Sequence, residues 1–330
     1  MKPILELLLT GAQLSEAQAY EVMRSIGEGK YSTEHITAFI SHYWHQPVST
    51  GELSGFRNAL LDLAVPIKLD VAKNAIDLCG TGGDGKNTFN ISTLTAIVVA
   101  GAGYKVVKHG NYGVTSVSGS SNVLEAMGCV FSNEVNTLSD QLETCNMTFL
   151  HAPLFHPALK EVGAIRRNLG LKTFFNMLGP MVNPAEPNYQ LVGVYNLQVA
   201  RQYQYLLQQS GRQFTIVHSL DGYDEISLTG DTRVISNDFD GIMSPGQLFA
   251  SKTYEANEIF GGNSVEEATE IFKNVLKARG TIAQNEVVLA NAALAIQTLT
   301  GKNLGECHEE ARETLLSGKA GKNFNQLVNG

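Results

Sequence analysis

The chain predicts an α/β protein in which a small all-α domain precedes a larger α/β domain built on a central, mostly parallel sheet. Three observations carry this. Residues 1–66 hold helical patterns only. From Ala75 onward, short apolar runs alternate with helical stretches. Two glycine-rich segments each follow an apolar run and open a helix. Alternation of that kind puts helices on the faces of a parallel sheet, because parallel strands need long crossover connections.

In the first region, Ser15 and Gln18 form a capping-box pair, and Ala19, Val22, Met23 and Ile26 follow at helical spacing before Gly27. A second helix is expected from Ser32 or Thr33. Its stripe of Ile36, Phe39, Ile40, Tyr43 and Trp44 at i, i+3, i+4, i+7 and i+8 reads as a packing face. Ser49 with Glu52 caps a third helix, which carries Leu53, Phe56, Leu60 and Leu63 and is ended by Pro66. Strands are then predicted at 75–79, 105–108, 147–150, 190–194 and 214–218. Helices are predicted at 92–101, 121–127, 265–277 and 283–299.

Composition narrows the function. Of 330 residues, 32 are acidic and 24 are Lys or Arg, a formal charge of -8 that disfavours non-specific nucleic-acid binding. Cys79, Cys129, Cys145 and Cys307 form no C-x-x-C pair, so reduced thiols and a cytoplasmic protein are expected rather than a disulfide scaffold or structural zinc. Glu6 interrupts a short apolar N-terminal run that would otherwise imitate a signal peptide. No stretch approaches the ~18 apolar residues of a membrane span.

Glycine is the uneven residue: 32 in all, with ten between Gly80 and Gly128. The segment from Asp77 to Asn90 satisfies G-x-G-x-x-G through Gly80, Gly82 and Gly85. A dinucleotide site also needs an acid about 20 residues further on, where this chain offers Lys105, Lys108 and His109. The same stretch nearly matches a nucleotide-hydrolysing P-loop, but Asn87 stands where the magnesium-binding hydroxyl belongs. A third reading fits better. Asn90-Ile91-Ser92-Thr93 sets hydroxyls and an amide at a helix start, and a second loop from Lys108 to Ser121 repeats the chemistry after the next strand. Neighbouring loops at the carboxyl ends of parallel strands converge on one crevice, so the pair suits a ligand with two separated anionic groups, such as a sugar bearing a phosphate and a pyrophosphate.

The stretches 80–93, 108–128, 166–185 and 221–227, in this order, resemble the anthranilate phosphoribosyltransferase family over essentially the whole chain. The resemblance implies the nucleoside-phosphorylase-like phosphoribosyltransferase fold, with 1–66 and helices near 156–184 as the small domain and 67–155 with 185–330 as the large one. It implies a magnesium-dependent transfer of phosphoribosyl from phosphoribosyl pyrophosphate to the amine of anthranilate, a step of tryptophan biosynthesis, by a homodimer.

By motif, the resemblance assigns phosphoribosyl pyrophosphate to Gly80, Gly83, Asp84, Thr88, Asn90, Ile91, Ser92 and Thr93. From the second segment it adds Lys108, His109, Gly110, Asn111, Tyr112, Gly113, Val114, Thr115, Ser116 and Ser120. Anthranilate falls to Gly80, Asn111 and Arg166, whose guanidinium can grip a carboxylate through two parallel hydrogen bonds. The magnesium ligands implied are Ser92, Asp224 and Glu225. No covalent nucleophile is required, and His109 is a candidate proton acceptor. The family usually has Arg and a small residue where this chain has Tyr112-Gly113, and Asp where it has Asn122. A related transferase that accepts a different aromatic amine stays open from sequence, whereas two other rival readings fit less well. A pyrimidine nucleoside phosphorylase shares the fold but has no use for the acid pair, and a nucleic-acid binder of this fold is at odds with the negative charge.

Overall fold

The computed structural model describes residues 1–113 and 117–329. One seven-stranded sheet organises the chain: β1 (Ile76–Gly80), β2 (Val106–Gly110), β3 (Met147–His151), β4 (Tyr189–Gly193), β5 (Gln213–Ser219), β6 (Thr232–Ser236) and β7 (Asp240–Met243). Their order is β3-β2-β1-β4-β5-β6-β7. The first five run parallel, and β6 and β7 add an antiparallel edge. Strand order reverses beside β1, with β2 on one side and β4 on the other. Open α/β sheets bind ligands in the crevice at such a point.

The five predicted strands fall within a residue or two of the observed spans. β6 and β7 lie outside the prediction. β7 alternates only between exposed and half-exposed residues and shows no apolar face to read. The N-terminal helices Glu16–Gly27, Thr33–His42 and Thr50–Asp62 start at Ser15, Ser32 and Ser49, each of which accepts a backbone N–H of the first turn. The predicted stripe is shortened at its end. The second of these helices stops at His42, Tyr43 is buried, and Trp44 is 40% exposed. Trp44 Nε1 instead donates to Lys172 O at 2.7 Å, an indole bond to a distant loop that helical spacing cannot show.

Two large apolar clusters flank the sheet. One joins the N-terminal helices, Val162, Ile165 and Phe174 to Val192, Phe214 and Ile216 of β4 and β5. The other surrounds the helix Ile91–Gly101, which is buried on all sides against the helices Ile282–Thr300 and Lys319–Asn329. Each fully buried Leu or Ile there contributes about 2 kcal/mol. That immobilises the helix whose N-terminus opens into the crevice.

Candidate active site

A cleft of about 320 Å³ opens at the carboxyl ends of β1, β2 and β5. Every described residue that the resemblance assigned lines it, from Gly80 to Ser120, with Arg166, Asp224 and Glu225. Val114, Thr115 and Ser116 lie outside the described residues.

The first loop leaves β1 at Gly80 and enters the helix Ile91–Gly101. Asn90 is its N-cap, yet its side chain does not cap the helix. Asn90 Nδ2 donates instead to Ser118 O at 3.2 Å, tying the first loop to the second. The first-turn N–H groups, at the positive end of the helix dipole, therefore face the cleft without a side-chain acceptor, an arrangement suited to an anion.

Asp224 and Glu225 arrive on the loop after β5. Asp224 crosses the paired ends of β1 and β4, where Gly80 and Gly193 are in register. A Cβ on Gly193 would overlap the Asp224 carbonyl, and one on Gly80 would lie 2.5 Å from Asp224 Oδ2. In this structure, what Gly80 admits is therefore the acid itself. Asp224 Oδ2 accepts from Gly82 N at 2.6 Å, and Asp224 N lies 3.5 Å from Asp84 Oδ2. Burial, reinforced by Asp84 and Glu225, holds the Asp224 carboxyl well above the usual carboxylate range. Burial likewise pushes Glu225 up to about 8, against the pull of the Lys108 charge. Like charges gathered in a low-dielectric cleft favour either protons or a cation.

The strand predicted at 105–108 holds Lys108 as expected but runs two residues further. His109 and Gly110 are the last residues of β2 rather than loop residues. The Lys108 side chain is 2% exposed, and its ammonium donates to Leu78 O and, at 3.2 Å, to Ser92 Oγ. The second loop proper begins at Asn111. Asn122 Oδ1 accepts from both Gly113 N and Gly119 N at 3.0 Å, fastening the two ends of the loop to one side chain. Tyr112 packs its ring edge-on to His151 at 4.9 Å, and its hydroxyl lies 3.4 Å from Glu125 Oε1.

Arg166, on the helix Lys160–Leu169, closes the far end of the cleft. Burial alone lowers its pKa to about 10, and its Nε has no partner. Its Nη2 donates to Asn176 Oδ1 at 3.2 Å. His109 lies between the two ends. Its Nδ1 is 3.2 Å from Gly179 O, so that nitrogen carries the proton and the buried, unpartnered Nε2 is an acceptor. Burial, with His156 5.2 Å away ring to ring, lowers its pKa to about 3. Sequence reasoning missed His156 and Asn176, which also line the cleft. Asn176 stands in a segment that the resemblance included, but its spacing gives it no role.

A helical bundle beside a mainly parallel sheet, with paired anion loops and an acid pair at the strand ends, describes a two-part transferase of phosphorylated sugars. The model for the glycosyl transferase family helical bundle domain matches residues 2–64, and that for its a/b domain matches 72–321. The chain is thus a glycosyltransferase of that family by sequence. Anthranilate phosphoribosyltransferases of Flavobacterium johnsoniae and Christiangramia forsetii are 53% and 52% identical over 99% of this chain and 98% of theirs. The Thermus thermophilus crystal structure of such an enzyme is 30% identical, covers 98% of each chain and has a TM-score of 0.90. The Saccharomyces cerevisiae enzyme in complex with PRPP and Mg is 27% identical over 98% of this chain and 96% of its own, with a TM-score of 0.88. The chain belongs to the anthranilate phosphoribosyltransferase family.

Proposed function

We propose that this chain transfers the phosphoribosyl group of phosphoribosyl pyrophosphate to the amine of anthranilate, and that the cleft between the helical unit and the sheet carries the reaction. The observation that supports this most is the gathering of two anion loops, an acid pair and a half-buried arginine around one cleft. The Saccharomyces cerevisiae relative is described in one structure with PRPP and Mg, and in another with 4-fluoroanthranilate at 25% identity and a TM-score of 0.85.

Magnesium fits the acidic end. Asp224 and Glu225 are crowded by burial and like charge, and the Ser92 hydroxyl is beside them in the same cleft. Among the described residues, no three His, Cys, Asp or Glu side chains converge on a metal position. Magnesium requires no such cage, because substrate phosphates and water supply most of its ligands. Bound there, the ion would offset the charge of the pyrophosphate.

The protein's own groups supply the rest. First-loop N–H groups, with the helix start at Asn90–Thr93, take phosphate oxygens, and the second loop closes the other side. Arg166 grips the anthranilate carboxylate and aims the amine at C1. The C1–N bond forms as the C1–O bond to pyrophosphate breaks, through an oxocarbenium-like state, and the proton lost by the amine leaves with the released pyrophosphate. His109 Nε2 accepts a hydrogen bond from the amine, and its depressed basicity keeps it from storing the proton.

We read the chain as a homodimer formed through its helical part, supported by Leu9, which is 82% exposed at the end of the helix Lys2–Leu9. No described helix is long and apolar enough to cross a membrane. The test of the activity is loss of anthranilate fluorescence on mixing protein, magnesium, phosphoribosyl pyrophosphate and anthranilate. No loss with folded protein overturns the reading.

A further inference from the structure

Arg166 is a half-buried cation without an acidic partner among its described contacts. Its pKa is lowered by desolvation alone, its Nε is unpartnered, and the Phe175 ring lies 5.7 Å from the guanidinium carbon. A guanidinium in that state needs something to fix its plane before a carboxylate arrives, since five donors can rotate about a long side chain. The hydrogen bond that does so here runs from Nη2 to Asn176 Oδ1.

Asn176 is itself firmly mounted. The same Oδ1 accepts from Thr173 N at 3.3 Å, which fixes which end of the amide faces Arg166. The segment is held from both sides. Trp44 of the helical unit donates to Lys172 O at 2.7 Å, and Lys172 Nζ rests 3.9 Å from the centre of the Tyr195 ring, just beyond β4. The other end of the Asn176 amide faces the donor side of the cleft. A Cβ placed on Gly83 would lie 3.2 Å from Asn176 Nδ2 and 2.9 Å from Lys172 Cε. One amide therefore touches the acceptor arginine with its oxygen and packs its nitrogen against the first glycine loop.

We infer that Asn176 is a positioning residue for the transfer: it orients Arg166 for the acceptor carboxylate and braces that arginine against the Gly80–Thr88 loop. This rests on the anthranilate-transfer reading of the cleft. Asn176 does not react; it acts through Arg166.

The test separates positioning from a fold requirement. Asp at 176 keeps an oxygen for Thr173 N, so a purely local cap is preserved, but it places a carboxylate on Arg166 that competes with the substrate. For Asn176→Asp, the KM for anthranilate rises at least 30-fold, with kcat at saturating anthranilate and the melting temperature close to wild type. For Asn176→Ala, which frees the guanidinium without neutralising it, that KM rises about fivefold to tenfold, and the KM for phosphoribosyl pyrophosphate rises less. A KM for anthranilate within threefold of wild type in Asn176→Asp overturns the inference. So does loss confined to kcat, or loss that tracks the melting temperature in both variants. A wild-type protein that transfers nothing overturns the functional reading and this inference together. Normal wild-type transfer with an indistinguishable Asn176→Asp variant overturns the positioning role alone.

Discussion

Glu52 in the helical unit and the Asp224–Glu225 pair in the cleft are acids withdrawn from water to opposite ends. Glu52 is 1% exposed, and both its oxygens are in use: Oε1 accepts from Leu14 N and Tyr43 OH, and Oε2 from Ser49 N and Ser49 Oγ. It closes a helix start and pins the chain before Ser15, so its burial stabilises the fold. Asp224 is nearly as buried, yet it accepts one backbone N–H and faces Asp84 and Glu225. Its burial stores a repulsion that only protons or a cation relieve. Buried acids surrounded by donors belong to folding; buried acids surrounded by acids belong to a site.

The contrast can be broken from either end. The largest effect expected is on activity: Glu225→Gln reduces kcat/KM by roughly 100-fold to 1,000-fold, as removal of a transition-state charge partner does, while the metal-free protein at pH 8 melts a few degrees higher. Steady-state rates and thermal melts on one preparation check both halves. A variant that is less stable and still active would erase the distinction. Glu52→Ala does the reverse. It strands the Leu14 and Ser49 N–H groups and the Tyr43 hydroxyl, costs about 3 kcal/mol by urea unfolding, and leaves the rate per folded molecule unchanged.

Much of this is legible in the sequence where the cause is local. Ser15–Gln18 and Ser49–Glu52 mark helix starts because capping is a short-range exchange of hydrogen bonds. The two glycine loops mark the cleft because strand–loop–helix order is written along the chain. The site itself is less local. Gly193 looks like an ordinary strand end until Asp224 is laid across it, and Asn176 gains its meaning only from Arg166 and Gly83. The neighbours of Lys108 in the chain put it on the phosphate loop, but the β2 register turns its ammonium into the sheet end, onto Leu78 O. Trp44 matches a helical stripe although the helix has already ended.

The acid pair awaits a cation brought with the substrate, and its titration shows how to test this. Glu225 holds its proton up to about pH 8 in the folded chain but only to about 4.5 when unfolded. Folding is therefore unpenalised below the lower value and loses stability as pH rises toward the upper one. His109 works in the opposite sense. With a folded pKa of about 3 against 6.5, it contributes in full above 6.5 and loses that contribution as pH falls toward 3. Between pH 6.5 and 8, then, the acid pair of Asp224 and Glu225 rather than His109 sets the slope. The deciding measurement is the melting temperature across that window, with and without magnesium and phosphoribosyl pyrophosphate together. We predict a fall with rising pH in the free protein and a ligand-induced rise that grows with pH, both reduced in Glu225→Gln and lost when Asp224→Asn is added. A flat profile in the free protein, or a ligand effect unchanged in the double variant, would show that the pair is not waiting for a cation.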